Sequence, residues 1–213
     1  MKKLKLWILI LIILPYIYSC GSNKVSELPY YDKPDFTPLW VSDREAKNLH
    51  EISDFSFTDQ DGKQVTKETF KGKIYLANFF FTTCPGICPT MTKNLLKLQN
   101  TFVNDIDVKI ISHSVMPWSD SVKNLKEYEK TFNIKNGMWY LVTGKTSEIY
   151  ELARRSYYAE EKAGYNSDST EFLHTEHILL VDKNGHLRGI YNGTLALDAE
   201  RMIEDIKILK KES

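Results

Sequence analysis

Apolar and polar positions along the chain fall into blocks of different period. Ile52-Ser53-Asp54-Phe55-Ser56-Phe57-Thr58 alternates at period two, and Asp59-Gln60-Asp61-Gly62-Lys63 supplies a turn before Gln64-Val65-Thr66. Successive strand side chains point to opposite faces, so this stretch predicts an N-terminal β-hairpin. After Gly72, Ile74 to Phe81 is a nearly continuous apolar run, the pattern of a central strand buried on both faces. Met91, Leu95, Leu98 and Phe102 then recur at helical spacing. Val108 to Val115 reads as the next strand, and Asp120 or Ser121 as the cap of a helix carrying Val122, Leu125, Tyr128 and Phe132. Met138 to Val142 is a third strand, and Thr146 caps a helix reaching to about Ser156. Tyr157 to Phe172 is polar and reads as a long loop, of the kind that is often functional. Thr175–Val181 and Leu187–Tyr191 flank the turn Asp182-Lys183-Asn184-Gly185, and Asp198 opens a last helix with Met202, Ile203, Ile206 and Leu209 inward.

Strands alternating with helices predict a mainly parallel sheet with right-handed crossovers. The second hairpin adds antiparallel strands at one side. The expected fold is therefore α/β, a thioredoxin-like fold with an N-terminal β-hairpin and a closing antiparallel hairpin.

The first residues follow a different pattern. Lys2, Lys3 and Lys5 precede an uncharged stretch, Leu6 to Ser19, which is shorter than the ~20 residues that span a bilayer and reads as a signal peptide. It ends in Ile17-Tyr18-Ser19-Cys20-Gly21, which resembles a bacterial lipobox and implies cleavage before Cys20 and lipidation of Cys20. An ordinary cleaved signal and an uncleaved anchor are the alternatives. Ser22 to about Asp35 is polar, contains Pro29 and Pro34, and reads as a tether. The expected division is residues 1–19 signal peptide, 20–50 lipidated cysteine and tether, and 51–213 folded domain, which suits a chain of 213 residues. The 28 basic residues balance 28 acidic ones, which gives no reason to expect a nucleic-acid partner. The expected location is the outer face of a bacterial membrane, on the periplasmic side in a Gram-negative cell, where disulfides persist.

With Cys20 assigned to lipid, only Cys84 and Cys88 remain of the three cysteines. One pair is too few for a disulfide scaffold or a four-cysteine zinc site. The pair lies between the apolar run and the next helix. Positions i and i+4 share one face of a helical turn, so both sulfurs can converge, and a helix N-terminus favours thiolate. Such a pair can react, ligate a soft metal, or form a small structural disulfide. Its place at the carboxyl end of a strand favours a site.

Phe-Phe-Phe-Thr-Thr-Cys-Pro-Gly-Ile-Cys-Pro-Thr-Met, Phe79 to Met91, resembles the metal motif of the Sco/SenC copper-binding proteins. The likeness runs from about Ile52 to Leu209. It takes in Asp59-Gln60-Asp61-Gly62, Leu125-Lys126-Glu127-Tyr128 and the stretch His174 to Gly185. The resemblance implies a membrane-tethered thioredoxin-fold protein that binds copper and helps metallate the copper A centre of cytochrome c oxidase. It implies copper ligands Cys84, Cys88 and one histidine. The family's ligand stands eleven residues before the turn glycine, which selects His174 over His177. Thiolate suits Cu(I) and imidazole suits both Cu(I) and Cu(II). A Cys84–Cys88 redox disulfide would remove two ligands and couple binding to redox state.

One departure is Met116, which precedes Pro117 where the family usually has an acidic residue. It reads either as a gap-filling methionine or as a soft thioether near the copper. His113 reads as a strand residue without a role, and His50 and His186 as solvated. The resemblance favours a metallochaperone and leaves open whether the chain is also an enzyme, with thiol–disulfide reductase activity as the candidate. The main rival is a membrane-tethered thiol–disulfide oxidoreductase. Those enzymes space their cysteines C-x-x-C and place a cis-proline facing the dithiol, whereas the last proline here is Pro117. A peroxiredoxin-like peroxidase and a zinc-binding structural domain are weaker readings.

Overall fold

The computed structural model describes residues 27–159 and 175–212. In chain order the elements are β1 (Tyr30–Tyr31), β2 (Pro38–Leu39), α1 (Asp43–Ala46), β3 (Ser56–Asp59), β4 (Gln64–Thr66), a 3-10 turn (Lys67–Phe70), β5 (Ile74–Phe80), α2 (Ile87–Phe102), β6 (Val108–Ser114), α3 (Val122–Phe132), β7 (Trp139–Thr143), α4 (Thr146–Glu151) running into a π turn (Leu152–Ser156), β8 (His177–Val181), β9 (Leu187–Asn192) and α5 (Ala196–Leu209). Seven strands form one sheet in the order β4-β3-β7-β6-β5-β8-β9, and β1 and β2 form a separate ribbon. β5 and β6 are parallel, as are β6 and β7. The two hairpins join this parallel core antiparallel, β3 against β7 and β8 against β5. This is the expected α/β architecture. All seven residues of β5 are buried, as a strand covered on both faces requires.

Of the two candidate caps for α3, Ser121 is the one used, its Oγ accepting from the Asn124 amide at 3.3 Å. The next helix starts differ from expectation. Lys145 precedes α4, with Thr146 its first residue. α5 begins at Ala196, and the Asp198 carboxylate accepts from the Asn192 amide at 2.7 Å, so it ties β9 to the helix. The closing turn forms around Asp182, whose Oδ1 accepts from the Asn184 and His186 amides at 2.9 and 3.0 Å. Gly185 there has φ +92°, a region that favours glycine.

The β8–β9 ladder contains a bulge. Leu180 pairs with Gly189 and Val181 with Leu187, which leaves Arg188 as the extra residue. The buried Arg188 guanidinium donates to the carbonyls of Leu28 (2.7 Å) and Pro29 (3.1 Å). It also pairs with Glu212 at 2.8 Å and Asp182 at 3.2 Å and lies 3.9 Å from the centre of the Tyr30 ring. The stretch expected as free tether as far as Asp35 thus lies against the domain from Leu28 onward. His186 is buried rather than solvated, with Nδ1 3.0 Å from the His50 carbonyl. His50 is half-buried, its ring 2.9 Å from the Ser156 carbonyl and 4.7 Å from the Tyr158 ring.

Candidate metal centre

The site begins where β5 runs out of its ladder. Asp120, fully buried, accepts from the Thr82 hydroxyl at 2.6 Å, the Thr82 amide at 3.2 Å and the Ser114 hydroxyl at 2.5 Å. Ser114 Oγ in turn accepts from the Met116 amide at 3.2 Å, and the Val115 amide donates to the Phe80 carbonyl at 2.9 Å. One carboxylate therefore fastens the loop after β5 to the loop after β6 and fixes where Cys84 emerges. Asp120→Asn is expected to lower stability by about 2 kcal/mol, because hydrogen bonds to a buried charged group are worth ~1.5–3 kcal/mol. Urea unfolding measures this, and an unchanged midpoint would show that the carboxylate is not needed to hold the loops.

Cys84 lies in the loop ahead of α2, and Cys88 is the second residue of that helix. The sulfurs therefore converge across a helix entry, not along one helical face as the spacing predicts. Gly86 occupies the N-cap without a capping side chain, so the first amides of α2 remain to be satisfied. They turn to sulfur. Burial raises the Cys84 thiol, but hydrogen bonds from the Cys88 thiol and from the amides of Cys88, Gly86 and Ile87 outweigh it and hold Cys84 below the usual thiol range. Cys88 is buried, and burial together with the bond to Cys84 pushes it up to about 12. The pair thus combines a partly exposed sulfur that ionises readily with a buried thiol that shares its proton with it. Tyr128 on α3 closes the site from behind, its buried hydroxyl 2.7 Å from Thr92 Oγ1. Burial, reinforced by the nearby Cys88 and Cys84, pushes that phenol up to about 12.

His177 is half-buried at the start of β8, with its ring edge-on to Phe36 at 5.9 Å. Among the described residues no three His, Cys, Asp or Glu side chains come together to hold a metal, so His177 does not join the two thiols. His174 and Cys20 lie outside the described residues. Met116 is half-buried and packs against the core. The sequence reading did not find the clasp at Asp120. An acid flanked by serines ahead of an amphipathic helix reads as a cap, and nothing local points to Thr82, 38 residues away.

The SCO1/SenC family model matches residues 43–211. A curated SCO1 protein homolog from Bacillus subtilis is 37% identical over 160 residues, 74% of this chain and 82% of that protein. A SCO1/SenC family lipoprotein from Bacillus anthracis superposes with a TM-score of 0.66 at 32% identity, covering 76% of this chain and 95% of that one. BsSco, described with a disulfide switch and as a member of the Sco family of cytochrome c oxidase assembly proteins, gives 0.65 at 35% identity over 77% and 95%. Copper-bound ScoI from Arabidopsis thaliana gives 0.57 at 27% identity over 75% and 98%. The motif of Phe79 to Met91, the parallel core closed by two hairpins and the paired thiols at the entry to α2 thus have one explanation: the chain belongs to the SCO1/SenC family.

Proposed function

We propose that Cys84, Cys88 and His174 bind copper. On this reading the chain, anchored through lipidated Cys20 to the outer face of a bacterial membrane, delivers copper to the copper A centre of cytochrome c oxidase or maintains that centre's thiols. The observation that carries the reading is the sulfur pair itself, two adjacent soft donors of which one ionises readily and which suit Cu(I). For the third donor the reading takes His174, which precedes the turn glycine Gly185 by eleven residues, the spacing of the family's histidine ligand. His50 and His186 are engaged with backbone carbonyls, and His177 does not join the two thiols. Two thiolates and an imidazole leave room for an acceptor's ligand to enter, as transfer needs. Oxidation of both thiolates to the Cys84–Cys88 disulfide, with loss of two electrons, takes two donors away. The copper-bound ScoI and the assembly role and disulfide switch of BsSco support the reading.

The test is anaerobic copper titration of the mature chain. The reduced protein is expected to take up one copper tightly and the disulfide form none. Equal affinity for the two forms would sink the assignment. The oxidoreductase reading keeps one observation in its favour, since a partly exposed Cys84 held below the usual thiol range beside a buried Cys88 is also how an attacking and a resolving thiol are arranged. Deletion of the gene separates the two readings. Copper delivery predicts low oxidase activity that added copper partly restores, whereas normal oxidase activity with a general disulfide defect would favour the oxidoreductase.

A further inference from the structure

The chain enters the domain at the end of the sheet opposite the cysteine pair. Tyr30, Ile74, Arg188 and Glu212 line one cavity at the start of β5, while Cys84 follows the far end of that strand. Seven strand residues at ~3.3 Å each separate these ends by roughly 23 Å. At the entry end the backbone is held on both sides: the Leu28 amide donates to Glu212 at 3.0 Å, and Arg188 takes the Leu28 and Pro29 carbonyls. Only the residues between Cys20 and Leu28 are left to bridge a lipid and the domain. At no more than ~3.5 Å per residue their reach stays under roughly 30 Å. The point of entry therefore stays within roughly 30 Å of any bilayer that holds Cys20, which makes this end of the domain the one tied to it.

That face carries an aromatic residue with no place in the core. Trp40 is 66% exposed and lines a surface cavity of about 510 Å³ with Glu27, Leu28, Glu45 and Glu212. Indole, with an apolar body and one N–H donor, is the side chain that settles at a membrane–water boundary. Glu27, Glu45 and Glu212 rim this cavity and Arg188 is paired, while Lys47 and Lys183 line the neighbouring one; the face carries both signs, so contact would come through the aromatic ring and the tether.

We propose that the face around Trp40 rests on the lipid bilayer and directs Cys84 and Cys88 away from it, so that an acceptor must present its copper site about one domain's depth above the membrane. The proposal rests on the lipidation of Cys20. Its test uses the lipidated mature protein in phosphatidylcholine vesicles whose acyl chains carry bromine. Trp118, 65% exposed in the loop clasped to the cysteine end, serves as the internal comparison. Tryptophan quenching by the brominated lipid is expected, with most of it lost in Trp40→Phe and retained in Trp118→Phe. Quenching that disappears with Trp118→Phe instead, or protein that sediments with the vesicles yet shows none, overturns the proposed orientation while leaving the anchor intact. Failure of the mature protein to sediment with vesicles overturns the anchor and the orientation together.

Discussion

Replacing His174 with alanine is expected to weaken copper binding by the reduced protein more than about 100-fold, while His177→Ala changes it only slightly. Partners that merely orient a metal ligand are worth ~10–100-fold in affinity, so loss of one of three donors should exceed that range. His177 lies apart from the two thiols, although its Nδ1 is buried with no hydrogen-bond partner among the described residues. Its backbone pairs with Asn192 at the start of β8, its amide donates to Thr175 Oγ1 at 3.1 Å, and its ring packs on Phe36. Competition with a chromophoric Cu(I) chelator measures both variants. His174→Ala should still form the Cys84–Cys88 disulfide, because the Thr82–Asp120 bond and the amides at the entry to α2 hold the cysteine segment. The reverse result, a large loss with His177→Ala and none with His174→Ala, would place the third donor in β8 and overturn the assignment.

What the sequence made legible is what short-range pattern encodes. The apolar block at Ile74 to Phe81 could only be a strand covered on both faces, and all of β5 is indeed buried. Period-two alternation and the Asp182-to-Gly185 turn located both hairpins. The cysteine motif found its place between strand and helix for the same reason. What escaped was settled by contacts between distant residues. Asp120 looks like a cap until Thr82 and Ser114 arrive to occupy its carboxylate. Arg188 looks like an exposed strand residue until the bulge turns it toward Leu28, 160 positions earlier. That one contact shortens the apparent tether. His186 read as solvated because it directly follows the turn Asp182-Lys183-Asn184-Gly185, yet it is buried with its ring edge-on to Tyr30. Polar residues at such positions give no periodic signal, since their surroundings are set by the partner and not by the spacing.

His113 gives the clearest case of a residue whose surroundings set its chemistry, and its effect on stability is expected to be large. It is fully buried on β6, and neither ring nitrogen has a hydrogen-bond partner among the described residues. Phe79 stacks on it at 5.2 Å, with Phe57 and Tyr157 at 5.5 Å and Phe55 at 5.9 Å. Burial alone lowers its pKa from 6.5 to about 3. The folded chain therefore keeps this ring neutral over a range in which the unfolded chain binds a proton, so the unfolded state gains stability as pH falls below 6.5. The contribution is fully present above pH 6.5 and is lost progressively down to about pH 3. At about 1.4 kcal/mol per pH unit, the wild-type protein should lose about 3 kcal/mol more than His113→Leu between pH 7 and pH 4. At neutral pH the leucine variant should be no less stable, because it fills a similar volume and leaves no polar atom unpaired. Urea unfolding of both proteins at the two pH values provides the comparison, and the difference between them cancels the carboxylates that titrate in the same range. Parallel losses in the two proteins would show that His113 accepts its proton without unfolding, and therefore that water or a polar group reaches the ring inside its aromatic enclosure.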